Sequence, residues 1–173
     1  MDILKTIRDK DLGINTPAPA KRHERNAGRA LIFDLEKKIA LLHVVNKKYH
    51  KLPGGGAKKG ESIIQTMRRE LREEVGCEIK NVKELGIIEE FRDRFSLHQF
   101  SYCFIGDLLG DKRLPSFEQE EINDGFEPIW LNLDEAIKLL ESETKIEDYE
   151  GKFIQVRDLV FLKEARKYLN SQK

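Results

Sequence analysis

The order of apolar segments predicts an α/β or α+β sandwich: strand-like runs come first, one helix interrupts them, and helices close the chain. Two observations carry this. The runs Ala30-Leu31-Ile32-Phe33 and Ile39-Ala40-Leu41-Leu42-His43-Val44-Val45 are continuously apolar, as in a sheet covered on both faces. After Ser62 the period changes to that of a helix, with Ile64, Met67, Leu71 and Val75 on one stripe. A chain of 173 residues suits one domain with modest extensions.

Residues 1–26 are polar, with Pro17, Pro19 and the basic cluster Lys21-Arg22-His23-Glu24-Arg25. They read as an N-terminal extension laid over the domain or a partner, and the domain is expected to span 27–173. Strand pattern begins at Gly28 and turns at Glu36-Lys37-Lys38. Beyond the first helix, 78–90 reads as extended around Leu85, Ile87 and Ile88, and 99–108 as an aromatic-rich strand. Residues 126–133 form a further strand that enters a helix capped at Asn132 or Asp134. The last helix is expected over 153–169, burying Val156, Leu159, Val160 and Leu162.

Composition removes several function classes. The 31 basic and 31 acidic residues cancel, which leaves no electrostatic footprint for stable binding to duplex nucleic acid. Cys77 and Cys103 lack metal-ligand or redox spacing and read as buried thiols in a reducing compartment. No apolar stretch approaches the ~20 residues of a membrane span, and the start lacks a signal peptide's apolar region. A soluble cytoplasmic protein without membrane partners is the expectation.

The first helix carries the chemistry. Ser62 and Gln65 fit a capping box, and Gly76 supplies the left-handed residue that stops the helix. Glu70 and Glu74 lie one turn apart with Glu73 beside them, so three carboxylates share an edge next to the buried stripe. Such a set is costly alone. Like charges at i,i+4 destabilise by about 0.2–0.5 kcal/mol per pair, and acidic groups near a helix C-terminus oppose its dipole. A divalent cation relieves both effects. Oxygen-only donors point to a hard ion, Mg2+ or Mn2+, and no Cys or His is spaced for zinc. Upstream, Lys51-Leu52-Pro53-Gly54-Gly55-Gly56 lets backbone approach a phosphate or metal where a Cβ would collide.

The combined run Gly55-x5-Glu61-x7-Arg69-Glu70-Leu71-x-Glu73-Glu74-x-Gly76-Cys77 resembles the signature box of the Nudix hydrolases at every defined position, with Cys77 a small choice for the last apolar slot. That resemblance implies an α/β/α sandwich around a mixed sheet over residues 27–170. It also implies metal-dependent hydrolysis of a nucleoside diphosphate linked to another group. By the same resemblance Arg69 pairs with Glu61 to brace the loop, and Glu70, Glu73 and Glu74 hold the metal together with the carbonyl of Gly54. Glu73 or Glu70 is the expected general base. Gly54, Gly55 and Gly56, with Lys51 and His50, are candidates for contact with the substrate. A further acidic ligand is expected from the run Phe117-Glu118-Gln119-Glu120-Glu121, with Glu121 or Glu120 favoured.

Substrate choice is less determined. Lys47, Lys48 and Tyr49 also precede the glycines, and Tyr102, Phe104 and Trp130 are candidates to stack a base, although each reads more readily as core. Family markers for ADP-ribose, dinucleoside polyphosphate, coenzyme A and NADH substrates are missing. A nucleoside triphosphate, ordinary or oxidised, is the default expectation. A non-catalytic nucleotide-binding module, or a hydrolase of sugar nucleotides or capped RNA, stands as the alternative. The fold commonly dimerises, so a homodimer is left open.

Overall fold

A computed structural model describes residues 1–172. Its eight strands form one mixed sheet, and four helices pack around it. In chain order the elements are β1 (Ile3–Arg8), β2 (His23–Phe33), β3 (Lys38–Val44), β4 (Tyr49–Lys51), β5 (Gly54–Gly56), α1 (Ile63–Val75), β6 (Glu78–Arg92), β7 (Leu97–Leu109), α2 (Gln119–Asp124), β8 (Phe126–Asn132), α3 (Leu133–Ser142) and α4 (Tyr149–Ser171). The main path runs β1-β6-β7-β2-β3-β4, with β5 added to β2 and β8 to β3. β2 runs parallel to β7 and β1 parallel to β6, while the other pairs are antiparallel.

Strand alternation explains why the central runs are apolar throughout. Ala30 and Ile32 face α1 and join Met67, Leu71 and Val75 in one core. Leu31 and Phe33 face the opposite way, onto Phe153, Phe161, Leu162 and Ala165 of α4 and Ala136, Ile137 and Leu140 of α3. Helices therefore cover both faces of the sheet, and the sandwich order expected from the sequence is the one formed. Among the described residues, no helix is long and apolar enough to cross a membrane.

Two parts of the segment 1–26 enter the sheet, Ile3–Arg8 and the stretch from His23 onward. β1 adds to the edge of β6, Ile7 is fully buried there, and β2 already begins at His23. The polar composition concealed this because β1 buries only Ile7 fully, and a six-residue edge strand needs few apolar positions.

Between the sheet and α4 lies a buried polar layer. Glu90 accepts hydrogen bonds from Arg92 (2.9 Å), Gln99 (2.7 Å) and Ser101 (3.0 Å), and Arg157 Nη1 approaches it at 3.8 Å. Burial alone would push the Glu90 carboxyl up. The guanidiniums of Arg92, Arg157 and Arg29, with the Arg92 hydrogen bond, outweigh it and pull the pKa down to about 2. Since the folded value lies below the unfolded one, the carboxylate adds stability above about pH 4.5, and that stability drains as pH falls toward 2. The gap corresponds to about 3 kcal/mol. Glu90→Gln is therefore expected to weaken the protein at pH 7 and to flatten its acid-unfolding curve below about pH 4.5. Urea titrations across pH measure this, and an unaltered slope in the variant contradicts it.

Candidate active site

The signature helix forms for the reasons its sequence gives. Gln65 N–H donates to Ser62 Oγ, and Ser62 N–H donates to Gln65 Oε1, closing the capping box. Gly76 adopts φ 63°, ψ 30°, and the N–H of Cys77 returns to the Leu71 carbonyl. α1 then lies across β2, where Gly28 permits close contact: a Cβ there would press on the Ile63 carbonyl. The acidic edge of α1 is thereby held against the glycine strand β5.

Arg69 organises the loop. Its Nε and Nη2 donate to the two oxygens of Glu61 at 2.7 and 3.1 Å, and Nη2 also reaches the Gly56 carbonyl. Nη1 donates to Glu70 (2.7 Å) and Glu73 (2.8 Å). The Glu61 carboxyl is held at about 2 by Arg69 and by the Lys58 N–H, while its carboxylate partners push the Arg69 guanidinium above its ordinary value. The expected Arg69–Glu61 brace is present in the structure.

Glu70, Glu74 and Glu121 converge, each offering an oxygen within 4.8 Å of the others'. Glu74 is fully buried; it accepts from Lys51 Nζ at 2.7 Å and from the Gly54 N–H. Burial pushes all three carboxyls above their ordinary range. For Glu70, repulsion from Glu74 adds to it. Holding these groups ionised at neutral pH thus costs stability, which protonation or a cation restores. Three clustered oxygens of raised proton affinity, with neither His nor Cys among them, fit a hard divalent ion.

Glu121 reaches this cluster by a route its sequence position does not reveal. Arg113 N–H donates to the Gly76 carbonyl and Ser116 N–H to the Glu73 carbonyl, so the loop before α2 ties itself to the C-terminal end of α1. Glu118 takes Lys58 Nζ at 3.0 Å, which fastens the loop to the glycine side as well. Of the two acids favoured in the sequence, Glu121 joins the cluster, and Glu120 lines the pocket beside it.

The pocket has a volume of about 390 Å3. Gly54, Gly55, Gly56 and Lys51 line it, as the sequence suggested. Glu73 does not; one of its oxygens accepts Arg69 Nη1 at 2.8 Å. Neither does His50. On β4 the side chains alternate, so Tyr49 and Lys51 face the pocket while His50 stacks on His43 and bonds Glu143. Tyr102, Phe104 and Trp130 pack into the core beneath α1, and Trp130 carries Lys112 Nζ 3.6 Å from its ring centre. The aromatics at the pocket are instead Tyr49 and Phe126.

Sequence reading passed over Arg25, Arg29, Arg92 and Gln99, which line the opposite end of the pocket. Only register shows them together: Arg25 sits across from Gln99 in the parallel β2–β7 pair. A period-2 reading of residues 23–29 would have put Arg25 and Arg29 on one face.

The model of the NUDIX domain matches residues 23–155. This chain belongs to the Nudix family. It is a Nudix hydrolase, a class of pyrophosphohydrolases. Among solved structures it is similar to the mutator MutT protein from Bacillus halodurans, at 23% identity and a TM-score of 0.49 over 66% of this chain and 72% of that one. No curated protein matches the chain at a significant level. The match begins at the first residue of β2, so β1 lies outside it.

Proposed function

We propose that this Nudix hydrolase cleaves a pyrophosphate bond of a nucleoside triphosphate, ordinary or oxidised, with Mg2+ or Mn2+ as cofactor. The observation that carries the reading is the convergence of Glu70, Glu74 and Glu121 behind a strand of three glycines at the wall of a polar pocket.

Glu70, Glu74 and Glu121 are the groups that would hold the metal; the Gly54 carbonyl, which the resemblance adds to them, accepts Arg29 Nη1 at 2.8 Å. When bound, such an ion neutralises phosphate charge and acidifies water. Gly55 lets the Glu70 carboxylate lie directly against the glycine strand, since a Cβ there would collide with it. Glu70 is placed to take the proton of the attacking water: burial and Glu74 raise its proton affinity, and Arg69 fixes one of its oxygens. Glu73 acts through Arg69, as a positioning residue. Lys51 lies beside Glu74 and Phe126, its Nζ 4.6 Å from the ring centre, ready to meet a phosphate oxygen at the pocket wall. The intact carboxylate set supports turnover over mere binding.

The test is a panel of nucleoside triphosphates, sugar nucleotides, dinucleotides and capped RNA, each with Mg2+ or Mn2+, scored by product mass. The expected result is metal-dependent conversion of a triphosphate to the monophosphate and pyrophosphate. Preference for a sugar nucleotide or capped RNA would replace the substrate assignment, and no conversion of any member would end it.

A further inference from the structure

Seven cationic side chains line the pocket, and six have partners. Lys47 is paired with Asp124, Lys51 with Glu74, Lys58 with Glu118, Arg69 with three glutamates, Arg92 with Glu90 and Glu150, and Arg29 with the Gly54 carbonyl. Arg25 makes no hydrogen bond or ion pair among the described residues. It is also held in place. Its guanidinium fills the space in front of Gly56, where any Cβ would overlap Nε, Nη2 and Cζ. The neighbouring glycine, Gly55, opens in the same way onto Glu70. Successive residues of a strand point to opposite faces, so the carboxylate cluster and the free guanidinium stand on either side of a bare ribbon, one peptide apart.

Nearby charges of both signs surround this group: Arg92 and Arg157 repel it, Glu150 and Glu70 attract it, and none of the four hydrogen-bonds or pairs with it. An anion arriving at Arg25 therefore meets a guanidinium whose donors are free.

We propose that Arg25 is a specificity-determining residue that binds a phosphate lying beyond the scissile pyrophosphate, and so selects substrates with a chain of three or more phosphates. The inference deepens the hydrolase reading and rests on it for where the bond is cut. Phosphate contact by a guanidinium is bidentate and charge-assisted, while Lys would supply a point charge without the fork.

Calorimetric titration in Mg2+ with the non-hydrolysable imido analogues of pyrophosphate and tripolyphosphate tests it without turnover. Wild type should prefer the longer probe by about 10-fold or more, the range of one charge-assisted pair. Arg25→Gln should reduce that preference to about 2-fold or less, and Arg25→Lys should fall between the two. Gly56→Ala should mimic Arg25→Gln, because its methyl group displaces the guanidinium. A wild type without the preference overturns the proposal, and so does an Arg25→Gln variant that keeps it. If the substrate panel shows no hydrolysis, the enzymatic reading fails by itself, and these titrations still decide whether Arg25 reads phosphate.

Discussion

Glu74→Gln is expected to lower kcat/KM in Mg2+ by about 10^3-fold, or about 4 kcal/mol of transition-state stabilisation, while the fold persists. The carboxylate has two jobs. One oxygen takes Lys51 Nζ and the other takes the Gly54 N–H, so the group locks the glycine strand to α1. It also brings a buried negative charge to the cluster with Glu70 and Glu121. A glutamine keeps one acceptor but turns an NH2 toward a donor, and it deletes the charge. Stability without metal should change by about 1 kcal/mol or less, because the lost hydrogen bond is offset by relieved repulsion. Added Mg2+ should raise the Tm of wild type and fail to raise that of the variant. Steady-state kinetics and melting curves with and without Mg2+ measure both parts. A variant that turns over at the wild-type rate removes Glu74 from the site.

The largest stability effect is expected at Arg157, whose side chain is wholly buried. Its Nε and Nη2 donate to Asp158 at 2.7 and 3.1 Å, and Asp158 in turn accepts the Leu52 N–H at 2.8 Å. Arg157→Met removes the cation and leaves Asp158 and Glu90 buried with too little compensation. Breaking one partner of a buried pair costs about 3–5 kcal/mol, which for a domain of this size lowers Tm by about 10 °C. Function should suffer separately from folding. Asp158 is the α4 anchor of the segment that enters the glycine strand, so a loosened Asp158 lets Leu52 and Gly54 drift. Arg157→Met should therefore be less active even at temperatures where it is fully folded. Denaturant unfolding together with activity at 10 °C checks this; a loss below about 1 kcal/mol would show that the ion pair is dispensable.

Legibility differed from element to element. The ends of α1 could be read to the residue because their determinants, the Ser62–Gln65 box and Gly76, are local; of the expected stripe Met67, Leu71 and Val75 are buried, while Ile64 is exposed and Ile63 packs on the core. β3 announced itself by an apolar run, since a strand buried on both faces must be apolar on both, while β7 and β8 were read from aromatic and apolar residues on strands that are only partly covered. β1 gave little signal, because an edge strand makes its bonds with a partner some eighty residues away and needs only Ile7 inside. The short helix α2 was read as an acidic run: its Glu118–Glu121 capping box is local but made of acidic residues, and its tether to α1 involves groups distant in sequence.

By itself the sequence determined the family, the reaction class, the brace of Arg69 on Glu61 and the carboxylate-rich helix beside three glycines. Those features depend on spacing within about twenty residues, where backbone geometry sets which side chains meet. Tertiary structure alone decided that Glu121, not Glu73, completes the cluster with Glu70 and Glu74, that His50 turns away from the pocket, and that Arg25 enters it unpaired. The physical reason is register: strand pairing and loop tethers between distant segments choose which face each residue presents, and no local preference encodes that choice.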